Sequence, residues 1–202
     1  MDTGASGPDS PSDAVPERFV YHAVVDLVPG TDSLLSASAL RDVDAAAARR
    51  ALAKYDVSAE RRRLATTRIP LIERGWTEVV FLSPIHPHAI WSAWREVTGE
   101  TLPPVSFWEI PIESVPDDAV VFDRVSSRVG DPIPLDEVRH LDRSSFRTLR
   151  QTPSANREWL VALAARGRRG AWFNLTPHVL TQGPVVLDEA SIISWDEATA
   201  SD

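Results

Sequence analysis

The order of elements in this chain of 202 residues predicts an α+β fold. Strand-like and helix-like segments follow one another as β, α, β, α, β, β, α, α, β, β, β. Helices therefore do not alternate strictly with strands, as a doubly wound parallel sheet requires. Neither G-x-G-x-x-G nor G-x-x-x-x-G-K-[ST] occurs, so the sequence carries no Rossmann dinucleotide fingerprint and no P-loop. The length suits one domain with a sizeable core. Residues 18–197 are expected to form it. A Gly-, Ser-, Asp- and Pro-rich lead at 1–17 and a short tail at 198–202 are expected to be disordered.

Residues 19–28 read as a strand closed by Pro29-Gly30. Residues 38–54 are Ala-rich and lack Gly and Pro, which predicts a helix capped by Ser38. The charged stretch 56–75 carries Pro70 and Gly75 and reads as a long connection with one helical turn at most. Residues 76–82 form a strand, buried at Val79-Val80-Phe81-Leu82 and broken at Ser83-Pro84 and Pro87. A helix over 88–97 stops at Gly99 and presents Ile90, Trp91, Trp94 and Val97 on one face. Residues 105–112 read as an edge strand because Pro111 cannot donate to a ladder. A short strand covers 119–122, and 134–150 reads as a polar surface helix. Thr152 as cap and Pro153 at the first position open a helix over 154–166 that buries Trp159, Leu160 and Leu163 and ends at Gly167. A strand at 171–174 leads into a closing hairpin made of 176–180, a Gln182-Gly183-Pro184 turn, 185–189 and 191–195.

The net charge of −8 and the pI near 5.1 give a surface that repels phosphate backbones, which disfavours general nucleic-acid binding. Arg61-Arg62-Arg63 and Arg166-Gly167-Arg168-Arg169 read as solvated helix faces and ends. The chain has no cysteine, so disulfides, thiolate metal sites and cysteine nucleophiles are excluded. No run reaches the ~18 apolar residues of a membrane span. The N-terminus lacks the basic and apolar regions of a secretory signal, and a cytoplasmic location is expected. The Ala-, Pro- and Arg-heavy composition, with Lys54 as the single lysine, resembles that of high-GC bacterial proteins.

Chemistry is sought first among the five histidines. His22 ends the first strand, where it can donate to a ribose or phosphate oxygen, while Tyr21 points to the opposite face. His86-Pro87-His88 stands where a strand hands over to a helix. The free amides and partial positive charge of a helix start suit an anion there, with Ser83 at the same edge. His178 opens the late hairpin and Gln182 marks its turn. Those two, with His22, form a candidate catalytic set if first and last strands meet at one cleft. A metal reading would pair His86 with His88 and take a third ligand from His178, Asp123 or Glu109, but no H-E-x-x-H or comparable spacing occurs. His140, in a polar segment, reads as a surface residue. The seven tryptophans read chiefly as core, with Trp91 or Trp172 as a stacking platform. Asn174 and Arg68 have no motif behind them, and no G-x-S-x-G elbow is present.

Taken in order, these segments resemble the ADP-ribosyltransferase-like superfamily. The likeness runs over most of 18–196 through Tyr21-His22, Phe81-Leu82-Ser83 and Phe107-Trp108-Glu109-Ile110-Pro111-Ile112. It continues in Pro177-His178-Val179-Leu180-Thr181 with Gly183, then Val185-Val186-Leu187-Asp188-Glu189. It implies a split, bent, mostly antiparallel sheet with peripheral helices and a cleft that takes NAD as substrate, or a related ADP-ribosyl or phospho-ribosyl compound. The implied partner is thus a small nucleotide-type ligand, with no metal. The resemblance implies cofactor contacts from Tyr21, His22, Ser83, His86 and His88, and a reacting sugar facing His178 and Gln182. At His178 the chain departs from the family, which has a glutamate there to stabilise the oxocarbenium-like sugar. That departure sets a non-catalytic ligand-binding or regulatory module beside the transferase as an alternative. A histidine-metal hydrolase or isomerase is the third.

Overall fold

The computed structural model describes residues 17–198, which form a mixed α+β structure with several antiparallel sheets and five α-helices. The expected lead lies outside the described residues except for Glu17, and the expected tail except for Ala198.

Strands β1 (Phe19–Ala23), β6 (Ser106–Pro111) and β11 (Ser191–Ser194) form one sheet with β6 in the middle. Strands β5 (Val80–Leu82), β9 (His178–Thr181), β7 (Val120–Phe122) and β8 (Val138–His140) form a second, in that order. A single bridge joins the two. Tyr21 and Ser83 exchange backbone hydrogen bonds of 2.8 Å in each direction. Two short pairs complete the strands: β2 (Ser33–Leu34) with β10 (Val185–Val186), and β3 (Arg68–Ile69) with β4 (Arg74–Gly75).

Alternation of side chains along the strands divides the core into three parts. Val20 and Ile110 from the first sheet meet Leu82, Val121 and Val179 from the second in a shared apolar layer. On the outer side of the first sheet, Tyr21 and Phe107 pack against helices α4 (Pro87–Thr98) and α5 (Ser154–Ala165) through Ile90, Trp94 and Leu160. On the outer side of the second, Phe122 and Leu180 pack with Ile69, Val79 and Ile133. Trp91, Trp94 and Trp195 are buried, and Trp172 meets both Trp94 and Trp195 edge-on, so these rings serve as core.

Several local expectations need correction. The first helical region divides into α1 (Leu40–Val43) and α2 (Ala45–Ala53) because Asp44 turns extended and its carboxylate accepts from the amides of Ala46 and Ala47 at 2.9 Å. Asp44 is thus the cap, and the Ser38 hydroxyl pairs with Thr77 instead. The stretch 56–75 is structured: Ser58 caps α3 (Ala59–Thr66), and β3 and β4 follow. Its second hairpin strand runs into a short 3₁₀ turn at Trp76–Glu78, so the strand expected at 76 begins at Val80. Residues 134–150 are not helical. A 3₁₀ turn at Leu135–Glu137 leads into β8, and Asp142 then accepts from the Ser144 amide and from the Ser144 and Ser145 hydroxyls, which closes a turn. Side chains that bond nearby backbone in this way compete with helix.

The strand expected at 171–174 is a run of turns, with left-handed φ at Ala171 (49°) and Leu175 (57°). β6 is central rather than an edge. Pro111 is tolerated because β11 pairs only as far as Glu109, leaving no partner that needs its missing N–H. The closing segment is not a hairpin. β9, β10 and β11 join three different sheets, because the turn held by the Thr181 hydroxyl on Gly183 O sends Val185 across to Leu34.

Candidate functional site

The strand registers decide which candidates can meet. Tyr21 lies opposite Ser83, so His22 projects on the face of Leu82. Leu82 lies opposite Val179, so His178 projects on the other face. The two imidazoles therefore occupy opposite faces of the array β1–β5–β9, and the shared cleft expected for them does not form. His22 lies opposite Trp108, and its Nδ1–H donates to Ala23 O at 2.7 Å. Burial lowers its pKa against that backbone bond, and Lys54 lowers it further. His178 lies opposite Phe122, edge-on to Phe81, with Nδ1–H donating to Thr176 O at 2.9 Å. Burial is the main cause that brings its pKa down to about 4, with Arg124 adding to it against the Thr176 bond.

Gln182 is also committed elsewhere. Its amide oxygen accepts from Arg74 Nε and its nitrogen donates to Asp118, both at 2.9 Å, tying β4 to the loop before β7. It stands just past the end of β9 while His178 begins that strand. Four residues of strand separate them by roughly 13 Å.

The remaining candidates gather at the start of α4. His86 is 1% exposed and forms the N-cap; its Nδ1 accepts from the His88 amide at 3.2 Å, which leaves the ring hydrogen of the neutral form on Nε2. Tyr21 packs edge-on beneath it, with ring centroids 5.1 Å apart. Burial, then the charge of Glu109, raises the Tyr21 pKa, so the phenol stays a neutral donor. The Ser83 hydroxyl donates to Ile85 O and accepts from the Ile85 amide, closing the turn after β5. His88 Nδ1–H donates to Trp195 O at 2.9 Å, and its ring stacks on Trp91.

His86 and His88 line a cleft of about 480 Å³ between α4 and the approach to α5. Arg150, Gln151, Thr152 and Arg157 line its other side. The two helices present different starts to it. At α4, Pro87 has no N–H, the His88 amide is held by His86 Nδ1 and the Ala89 amide by His86 O, so the first donors are already satisfied. At α5, Pro153 occupies the N-cap and no side chain caps the helix. Thr152, expected to do so, keeps a buried hydroxyl with no hydrogen-bond partner among the described residues. The uncommitted donors nearest this cleft thus stand at the approach to α5, where Thr152 lines it, and not at α4 where the sequence placed them.

Arg150 pairs with Glu17, and Arg157 with Glu96 at 2.5 Å. Sequence reasoning missed Arg150, Arg157 and Thr152 as cleft residues. The available signal was the Thr152-Pro153 helix start flanked by basic residues on both sides. Among the described residues no three His, Cys, Asp or Glu side chains group so as to hold a metal ion, which leaves the His86, His88 and His178 metal alternative without a ligand set. No helix among the described residues is long and apolar enough to cross a membrane. No protein-family model, curated protein or solved structure matches the chain.

Proposed function

We propose that the chain is a ligand-binding or regulatory module that takes a phosphate-bearing small molecule, of phospho-ribosyl or nucleotide type, into the cleft between α4 and α5. The observation that carries this reading is the convergence on one hollow of Arg150, Arg157, His86, His88 and Thr152, with the uncapped α5 beginning just beyond Thr152. Guanidinium groups match phosphate oxygens in a planar fork. The free amides at a helix start, with the helix dipole behind them, add donors and partial positive charge. The Thr152 hydroxyl supplies a further donor beside them. Among the described residues no tryptophan, tyrosine or phenylalanine lines the hollow, so recognition falls on phosphate and sugar hydroxyls rather than on a stacked base.

The likeness to ADP-ribosyltransferase-like proteins makes NAD and ADP-ribose the reference ligands beside ribose 5-phosphate. Sugar transfer is not part of the proposal, because it asks for His22, His178 and Gln182 around one ribose. Isothermal calorimetry with these three compounds tests the reading, with free nicotinamide assayed after incubation with NAD. We expect binding of ribose 5-phosphate that weakens at least tenfold in Arg157→Gln and several-fold in Thr152→Val, with no nicotinamide formed. Nicotinamide release that disappears in His22→Ala or His178→Ala would replace this proposal with the transferase.

A further inference from the structure

Both guanidinium groups of the cleft are held by carboxylates, and the two carboxylates differ in kind. Glu96 lies on the cleft wall with its side chain 58% exposed, so water screens its pair with Arg157. Glu17 is set into the fold ahead of β1. The Thr148 amide donates to Glu17 O at 3.1 Å, and the Phe19 amide donates to the Thr148 hydroxyl at 2.9 Å. That hydroxyl in turn donates to Phe19 O at 3.0 Å, so three main-chain and side-chain bonds fix where Glu17 can reach. Its Oε1 meets Arg150, while its Oε2 is buried with no hydrogen-bond partner among the described residues. The Glu17 side chain is 35% exposed, yet one of its carboxylate oxygens is shut away from water unsatisfied, a cost that an ion pair serving stability alone does not need.

We infer that Glu17 is a built-in stand-in for the ligand's anion. It neutralises Arg150 while the cleft is empty, and an incoming group must displace it. This rests on the phosphate-binding reading of the cleft. The exchange sets a specificity. A singly charged carboxylate gains from Arg150 no more than the Glu17 contact it replaces. A phosphate dianion brings more charge and three acceptor oxygens and gains the difference. Glu17 thus selects phosphomonoesters against sugar acids.

Calorimetry at mildly alkaline pH with ribose 5-phosphate and with gluconate tests the inference. The wild-type chain is expected to bind the first and not the second. Glu17→Gln tightens ribose 5-phosphate about tenfold, the size expected for removing one partly buried competing charge pair, and admits gluconate. In an Arg150→Gln background the same change gives no gain. Glu17→Asp, whose shorter arm falls short of Arg150, carries the same expectation should Glu17→Gln fail to fold. Unchanged or weaker binding in a folded Glu17 variant, while Arg157→Gln still weakens the wild-type site, overturns the inference and leaves the cleft reading standing. Wild-type binding that is absent, or indifferent to Arg157→Gln, overturns both.

Discussion

Ser127 closes on Glu137 with both of its polar hydrogens, the amide to Oε1 at 2.7 Å and the hydroxyl to Oε2. The amides of Val125 and Ser126 and the Ser126 hydroxyl converge on the same Oε1. The Glu137 side chain thereby ties the exposed loop after β7 to the start of β8, and the residue is only 2% exposed. Burial pushes its carboxyl up, but the Ser127 hydroxyl and then the amides of Ser127, Ser126 and Val125 outweigh it. The pKa falls to about 2. The folded-state pKa lies below the unfolded one, so the carboxylate's contribution is complete above about pH 4.5 and is lost as pH falls toward 2. Glu137→Ala is expected to cost ~2–4 kcal/mol, since several part-buried donors lose their common charged acceptor. Urea unfolding of both proteins over that pH range measures it. A cost that does not shrink toward low pH would contradict this role.

His178 gives a pH dependence at a different place. Its folded pKa of about 4 lies below the unfolded value of 6.5, so the unfolded chain takes up a proton first as pH falls. Stability is unaffected above about pH 6.5 and declines between there and pH 4, by up to ~3 kcal/mol. His178→Gln is expected to flatten the profile in that window. The ring proton shifts of His178 in an NMR titration give the pKa directly, and a midpoint near that of a free imidazole would refute the burial argument.

Asn156 is fully buried at the third position of α5 and donates both amide hydrogens to the loop that follows the helix, to Trp172 O at 2.9 Å and Asn174 O at 2.7 Å. Asn156→Ala leaves both carbonyls without that donor and is expected to destabilise by ~2–3 kcal/mol. Faster amide exchange across 171–175, with the two large sheets unaffected, is the signature that separates a loop clamp from a general core residue.

Within that loop, Ala171 is exposed with φ of 49°. A Cβ in the left-handed region costs ~1–2 kcal/mol, part of which glycine returns as greater freedom of the unfolded chain. Ala171→Gly is therefore expected to stabilise by ~0.5–1 kcal/mol, seen as a higher unfolding midpoint. A lower midpoint would show that the turn is held there without strain.

The sequence made the apolar and glycine-stopped elements legible: β1, α4 with its Gly99 stop at φ of 73°, β6 and α5 all lie within two or three residues of their expected ends, except that β1 is shorter. Those signals are local. The misread regions depend on contacts far along the chain. Val138 becomes a strand only because Phe122 pairs with it, and Val185 leaves its neighbours only because Leu34 receives it. The candidate site was legible to the same degree. His86 and His88 do line a cleft, since their place at a helix start is local information. That His22 and His178 part company follows from two registers, Tyr21 with Ser83 and Leu82 with Val179, which no spacing in the sequence encodes.

An amide-resolved NMR titration with ribose 5-phosphate locates the bound phosphate on the fold. The largest shifts are expected at Thr152, Ser154, Ala155 and Asn156, with smaller ones at His88 and Ala89. None is expected on β9 or at the β1–β6 pairing of His22 with Trp108, and this pattern defines the α4–α5 cleft as the site. Shifts centred on His22 or His178, with the start of α5 silent, would contradict it.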